Sequence, residues 1–146
     1  MGKVSLVLVI LFLAVSPFIA QETKKTEPNP PASDSKISSE DAKKENPTKP
    51  TAASLAQGKK MYGYDCAMCH GKDGDGKGDL AGDMNLTLKD YRNLDSLKNL
   101  SDGEIFYIIR NGKGKMPPEG DRISAEECWN MVNYVRSFAK KSETQK

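Results

Sequence analysis

Cys66-Ala67-Met68-Cys69-His70 is the stretch on which the reading of this 146-residue chain turns. Two thiols separated by two residues, with an imidazole directly after them, can add across the vinyl groups of a haem while the histidine falls beneath the iron. Three other chemistries use a similar pair of cysteines. A zinc site wants four ligands, yet His70 is the only histidine and Cys128 the only further cysteine, so that site is poorly supplied. A redox dithiol ordinarily opens a helix in a βαβ setting, of which the sequence shows no sign. A disulfide would leave one of the three cysteines over. The expectation is one covalently attached haem c, joined through Cys66 and Cys69, with His70 as an axial ligand.

Outward from the motif, the pattern is helical and short-looped, with little alternation of apolar and polar residues. Residues 55–64 read as a first short helix. Ser101 and Glu104 form a capping box that opens a second, with Ile105, Phe106, Ile108 and Ile109 as core candidates and Asn111 and Gly112 at its end. Ser124 and Glu127 repeat that signal, and the last helix runs to about residue 139 with Cys128, Met131, Val132, Val135 and Phe138 along one stripe. The predicted fold is all-α: three main short helices packed around one haem in a domain spanning residues 54–146. Few large apolar side chains are available for so small a core, and a bound haem would complete it.

The N-terminal part differs in kind. Residues 4–20 are almost continuously apolar after Lys3, the pattern of a secretory signal peptide or an N-terminal membrane anchor, which places the remainder outside the cytoplasm. Residues 21–53 are rich in Pro, Lys, Glu, Ser and Thr and carry Ile37 as their only large aliphatic side chain. Such a segment buries too little to fold and reads as a disordered linker, a tether for the domain that follows. Basic residues (22) nearly balance acidic ones (20), without a long basic block, so nucleic acid is not an expected partner.

With one histidine, ligation by two imidazoles within the chain is impossible, and methionine is the natural second ligand. Met68 lies inside the attachment motif, while Met61 and Met131 fall on helices expected to pack together as core. Met84 and Met116 remain. Met116 is favoured, because it sits in an irregular stretch with glycines before it and Pro117 and Pro118 after it, suited to aiming a long thioether.

Four pieces in order resemble the class I cytochromes c, over nearly all of residues 54–139. They are Gly58 with Tyr62, the Cys66 to His70 motif followed by Gly71, the stretch Lys113-Gly114-Lys115-Met116-Pro117-Pro118, and Met131-Val132-Asn133-Tyr134. The resemblance implies that the first and last helices cross at Gly58, Tyr62 and Tyr134, and it also points to Met116 as the second ligand. The domain is further similar to small cytochrome domains of terminal oxidases. In one respect the sequence departs from the family: no proline lies between His70 and Met116 to supply the carbonyl that orients the imidazole. A carbonyl within residues 79–86 is expected to replace it. Arg110, Lys113 and Lys115 precede the expected ligand where the family exposes a haem edge, and they would steer an acidic partner.

Residues 71–78 nearly spell a phosphate loop, but Gly78 stands where Ser or Thr is needed and Asp73 and Asp75 would repel phosphate. A calcium loop fails because Met84 replaces the bidentate Glu. Cys128 reads as a small buried hydrophobe. An iron with both axial positions filled has no place for substrate. The expected function is therefore electron transfer, not catalysis, by an exported, periplasmic carrier that acts as a monomer between a redox donor and an acceptor such as a terminal oxidase or reductase. The alternative is a haem-based gas sensor in which a weakly held Met116 is displaced.

Overall fold

The computed structural model describes residues 36–144. The signal or anchor expected for residues 1–20 lies outside the described residues, as do residues 21–35. Among the described residues the elements are α1 (Ser39–Ala42), α2 (Ala52–Asp65), α3 (Ala67–His70), α4 (Asp79–Asp83), a 3₁₀ turn (Leu94–Ser96), α5 (Asp102–Asn111) and α6 (Ala125–Thr144). Extended pairing among them is confined to a single antiparallel bridge between Lys113 and Met116. The fold is all-α, as expected.

The frame is the crossing of α2 and α6. Thr51 caps α2 by accepting from the Ser54 amide, so the helix begins three residues earlier than its apolar pattern suggests. Gly58 lies at the crossing point: a Cβ there would overlap the Asn130 carbonyl and approach Tyr134 Cβ to 2.8 Å. One turn on, Tyr62 is buried and packs edge-on against Tyr134 (centroids 5.4 Å apart) and Phe138 (5.2 Å). Each such ring contributes roughly 1.5–3 kcal/mol by burial. Cys128, Met131, Val132, Val135 and Phe138 are all buried, so the predicted stripe is the core face of α6.

Both predicted capping boxes are present. Glu104 N–H donates to Ser101 Oγ and the Ser101 amide to Glu104 Oε2; Ser124 and Glu127 repeat the exchange. Of the four core candidates in α5, Ile105 and Ile109 are buried, whereas Phe106 and Ile108 are half-buried. Phe106 stacks on Trp129 of α6 at 4.0 Å. The helix ends at Gly112, whose φ of 73° is open to glycine. Arg136 then ties α6 to α5, pairing with Asp102 at 2.9 Å and donating to the carbonyls of Leu97 and Leu100.

The disordered linker expected over residues 21–53 needs correction where it is described. Residues 36–51 lie docked across α5 and α6. Asn46 Nδ2 donates to Asn133 Oδ1 (2.9 Å) and to the Trp129 carbonyl (3.3 Å), and Asn133 Nδ2 donates to the Thr48 carbonyl and Ser54 Oγ. At the other end Ser101 Oγ donates to the Ala42 carbonyl, and a Cβ on Gly103 would overlap the Asp41 carbonyl. The composition misleads because this strap is held by polar bonds and close backbone approach, neither of which registers as hydrophobicity.

Candidate functional site

Cys66 ends α2 and opens α3, so the motif follows, without a linker, the helix that crosses α6. His70 and Cys69 amides both donate to the Cys66 carbonyl, at 2.8 and 3.2 Å. This single turn brings Cys66, Cys69 and His70, at i, i+3 and i+4, to one face. From α2, the buried Tyr62 hydroxyl donates to the Gly71 carbonyl at 2.8 Å and fixes the end of the turn. Beyond it the chain folds back, with Gly76 N–H donating to the His70 carbonyl (2.8 Å) and Gly78 N–H to the Cys69 carbonyl (3.0 Å). Those amides are engaged by the motif and are not presented to a phosphate. No group of three or more His, Cys, Asp or Glu side chains among the described residues could hold a metal ion.

All three thiols are free. Burial pushes the Cys66 thiol up to about 12, with the charges of Glu119 and Asp65 adding to the effect. A reactive dithiol needs the opposite shift, which disfavours the redox-dithiol reading. Burial likewise pushes Cys128 up to about 12; it is fully buried, with its sulfur 3.7 Å from the Phe106 carbonyl, and plays the apolar part expected of it.

His70 is half-buried, and desolvation holds its imidazole below the usual histidine range, favouring the neutral form that ligates metals. Its Nδ1 is buried without a hydrogen-bond partner. The carbonyl expected from residues 79–86 therefore does not take that role. In this segment the Ala81 carbonyl instead receives the Leu86 amide, and the Leu80 carbonyl the Met84 amide. The ring is braced by Tyr91, stacked at 5.1 Å and 21°. Tyr91 is itself placed by its amide, which donates to the Gly74 carbonyl at 2.7 Å.

Met116 closes a tight turn with Lys113, the two residues exchanging amide-to-carbonyl bonds at 3.0 and 3.1 Å, while Gly114 takes a φ of 57°. It is half-buried and packs against the cluster of Ile105, Ile109, Ile123, Trp129 and Val132, the same cluster that Cys66 touches. Met84 is 40 % exposed and Met68 53 % exposed. Met131 is core, and Met61 packs on the same cluster from α2. The site thus fits a flat apolar iron cofactor: a turn presenting two free thiols, a neutral imidazole with an unpartnered nitrogen, and a thioether on the cluster that lines Cys66.

Arg110 does not share the exposed position of Lys113 and Lys115. Its guanidinium donates to the carbonyls of Gly120 (3.0 Å) and Ile123 (3.4 Å) and lies over the Phe106 ring, so it anchors the segment after Met116. Sequence reasoning also missed Tyr91, Glu119 and Arg122. Glu119 is buried, and Arg122 pairs with both Glu119 (3.3 Å) and Asp65. Only Tyr91 left a signal, as an isolated aromatic in a polar stretch.

Residues 53–135 match the family model described as cytochrome c oxidase, cbb3-type, subunit III. Among curated proteins the chain is similar to cytochrome c6 of Synechococcus, 35 % identical over 91 residues, covering 62 % of this chain and 76 % of the relative. Cytochrome c6 of Pyropia tenera is 33 % identical over 61 % of this chain and 98 % of its own length. Among solved structures, the KustC0563 c-type cytochrome superposes with a TM-score of 0.50 at 29 % identity, over 56 % of this chain and 95 % of that one. A Kuenenia stuttgartiensis reducing HAO-like protein complex gives 0.54 at 26 % identity, over 63 % of this chain and 46 % of that chain. Together with the geometry of the motif, these matches identify the chain as a member of the class I monohaem c-type cytochromes, electron-transfer proteins with one covalently attached haem c.

Proposed function

We propose that this protein is an exported single-electron carrier in which Cys66 and Cys69 form the thioether links and His70 and Met116 are the axial ligands. The observation that carries the assignment is the packing of Met116 and Cys66 on one apolar cluster, while Met84 remains at the surface. Bound there, the haem supplies a one-electron iron couple. The chain's part is to keep water from it and hold the ligands still. Tyr62 fixes the motif turn, Tyr91 braces the imidazole, and the Lys113 to Met116 turn with its Arg110 anchor fixes the thioether.

Residues 1–20 act as the export signal or anchor, and residues 21–35 as the tether to the strap. The protein works as a monomer on the extracytoplasmic side, between a donor and an acceptor protein. The match to an oxidase subunit model favours a terminal oxidase as acceptor. Lys113 and Lys115, both exposed, offer the charge for docking. Two filled axial positions favour the carrier over a gas sensor. Carbon monoxide mixed with the reduced protein at neutral pH should leave its spectrum unchanged, while a rapid spectral change would transfer support to the sensor. Replacing Lys113 and Lys115 together by Gln should slow electron exchange with an acidic partner at low salt; an unchanged rate would remove them from the docking surface.

A further inference from the structure

Glu119 is the only acidic side chain buried among the described residues, at 5 % exposure. Its backbone is fixed on three sides: its amide donates to the Ile109 carbonyl at 3.0 Å, and its carbonyl receives the amides of Arg122 and Ile123. Its side chain is far less satisfied. Oε2 makes no hydrogen bond, and the nearest cation, Arg122, lies 3.3 Å away while also pairing with Asp65. The charged and titratable groups nearest it are Arg122 on its own loop and Asp65 and Cys66 at the end of α2, while Arg110 of α5 is turned away to the Gly120 and Ile123 carbonyls.

Burial raises the affinity of the Glu119 carboxyl for a proton, Asp65 adds to that, and Arg122 opposes it. A carboxylate balanced in this way responds to any further change of charge nearby. Such a change occurs at this site on every turnover. Glu119 lies three residues beyond Met116, and Arg122 bridges it to Asp65, the residue next to Cys66. Resting on the ligand assignment above, we infer that Glu119 couples the electron to a proton: its carboxylate binds one proton from water when the iron accepts one electron from the donor protein, and releases it when the electron leaves. Charge and proton balance in both directions. By linkage, the ionised carboxylate favours the oxidised state to the same extent that oxidation favours ionisation.

The test is a spectroelectrochemical titration of the full matured protein from pH 4.5 to 9, for wild type, Glu119→Gln and Arg122→Gln. The wild-type potential should fall with rising pH between two plateaus, separated by about tenfold in the redox equilibrium for one pKa unit of coupling. Glu119→Gln should lose that step and stay near the low-pH plateau with an unchanged haem spectrum. Arg122→Gln, which retains the carboxyl but removes its cation, should move the step to higher pH. A flat wild-type profile, or a step that survives Glu119→Gln, overturns the inference. Should that variant fail to mature, redox-difference infrared spectra of the wild type decide: a protonated-carboxyl band gained on reduction supports the coupling, and its absence refutes it. A sample without a low-spin haem spectrum would instead refute the ligand assignment.

Discussion

The α2 and α6 crossing and the face that carries the motif are built on opposite principles. At the crossing the chain supplies every partner: Gly58 admits the Asn130 carbonyl, Tyr62 meets Tyr134 and Phe138, and the Tyr62 hydroxyl finds Gly71. On the motif face His70 Nδ1 has no hydrogen bond, Cys66 and Cys69 are unpaired, and Met68 is exposed. One region is a finished scaffold, and the other is a ligand set that the scaffold holds in place. A small domain can then take much of its remaining core from the cofactor.

The division can be broken from either side. Replacing Cys66 and Cys69 together by Ala should abolish covalent attachment completely, read as loss of haem stain on a denaturing gel; retained stain would contradict the motif's role. Gly58→Ala attacks the scaffold, since the new methyl meets backbone, and should cost about 3 kcal/mol in denaturant unfolding. Asn133→Ala removes the bonds to Asn46, Thr48 and Ser54 and should cost about 2 kcal/mol, with faster hydrogen exchange confined first to residues 38–51. Ser124→Ala, at the edge of the scaffold, should cost about 1 kcal/mol. Its pH dependence has a definite sign. The backbone N–H and hydroxyl of Ser124 hold the Glu127 carboxyl below its ordinary value of 4.5, so the capping contribution is present above that pH and fades as pH falls through the lowered value.

The two regions also differed in how far the sequence revealed them. Apolar periodicity and capping boxes marked α5 and α6, because both are local patterns imposed by helix geometry. The attachment motif was legible because its chemistry demands fixed spacing. The strap of residues 36–51 reads as linker from composition alone, since Asn46 and Asn133 are 87 positions apart and composition carries no trace of their bond. The orienting carbonyl for His70 was expected from a nearby segment, and Tyr91 braces the ring from another part of the loop. Arg110 reads from sequence as a docking charge, whereas its guanidinium is committed to the carbonyls of Gly120 and Ile123. Contacts between distant polar groups depend on tertiary placement, which periodicity does not encode.

The assignment of Met116 is the hinge between scaffold and function, and one optical experiment addresses it. Spectra of the matured protein, oxidised and reduced, should be recorded for wild type, Met116→Ala and Met84→Ala. The wild type should show a low-spin c-type haem with the methionine-to-iron band, lost in Met116→Ala and kept in Met84→Ala. A band that survives Met116→Ala, or vanishes in Met84→Ala, would contradict the account.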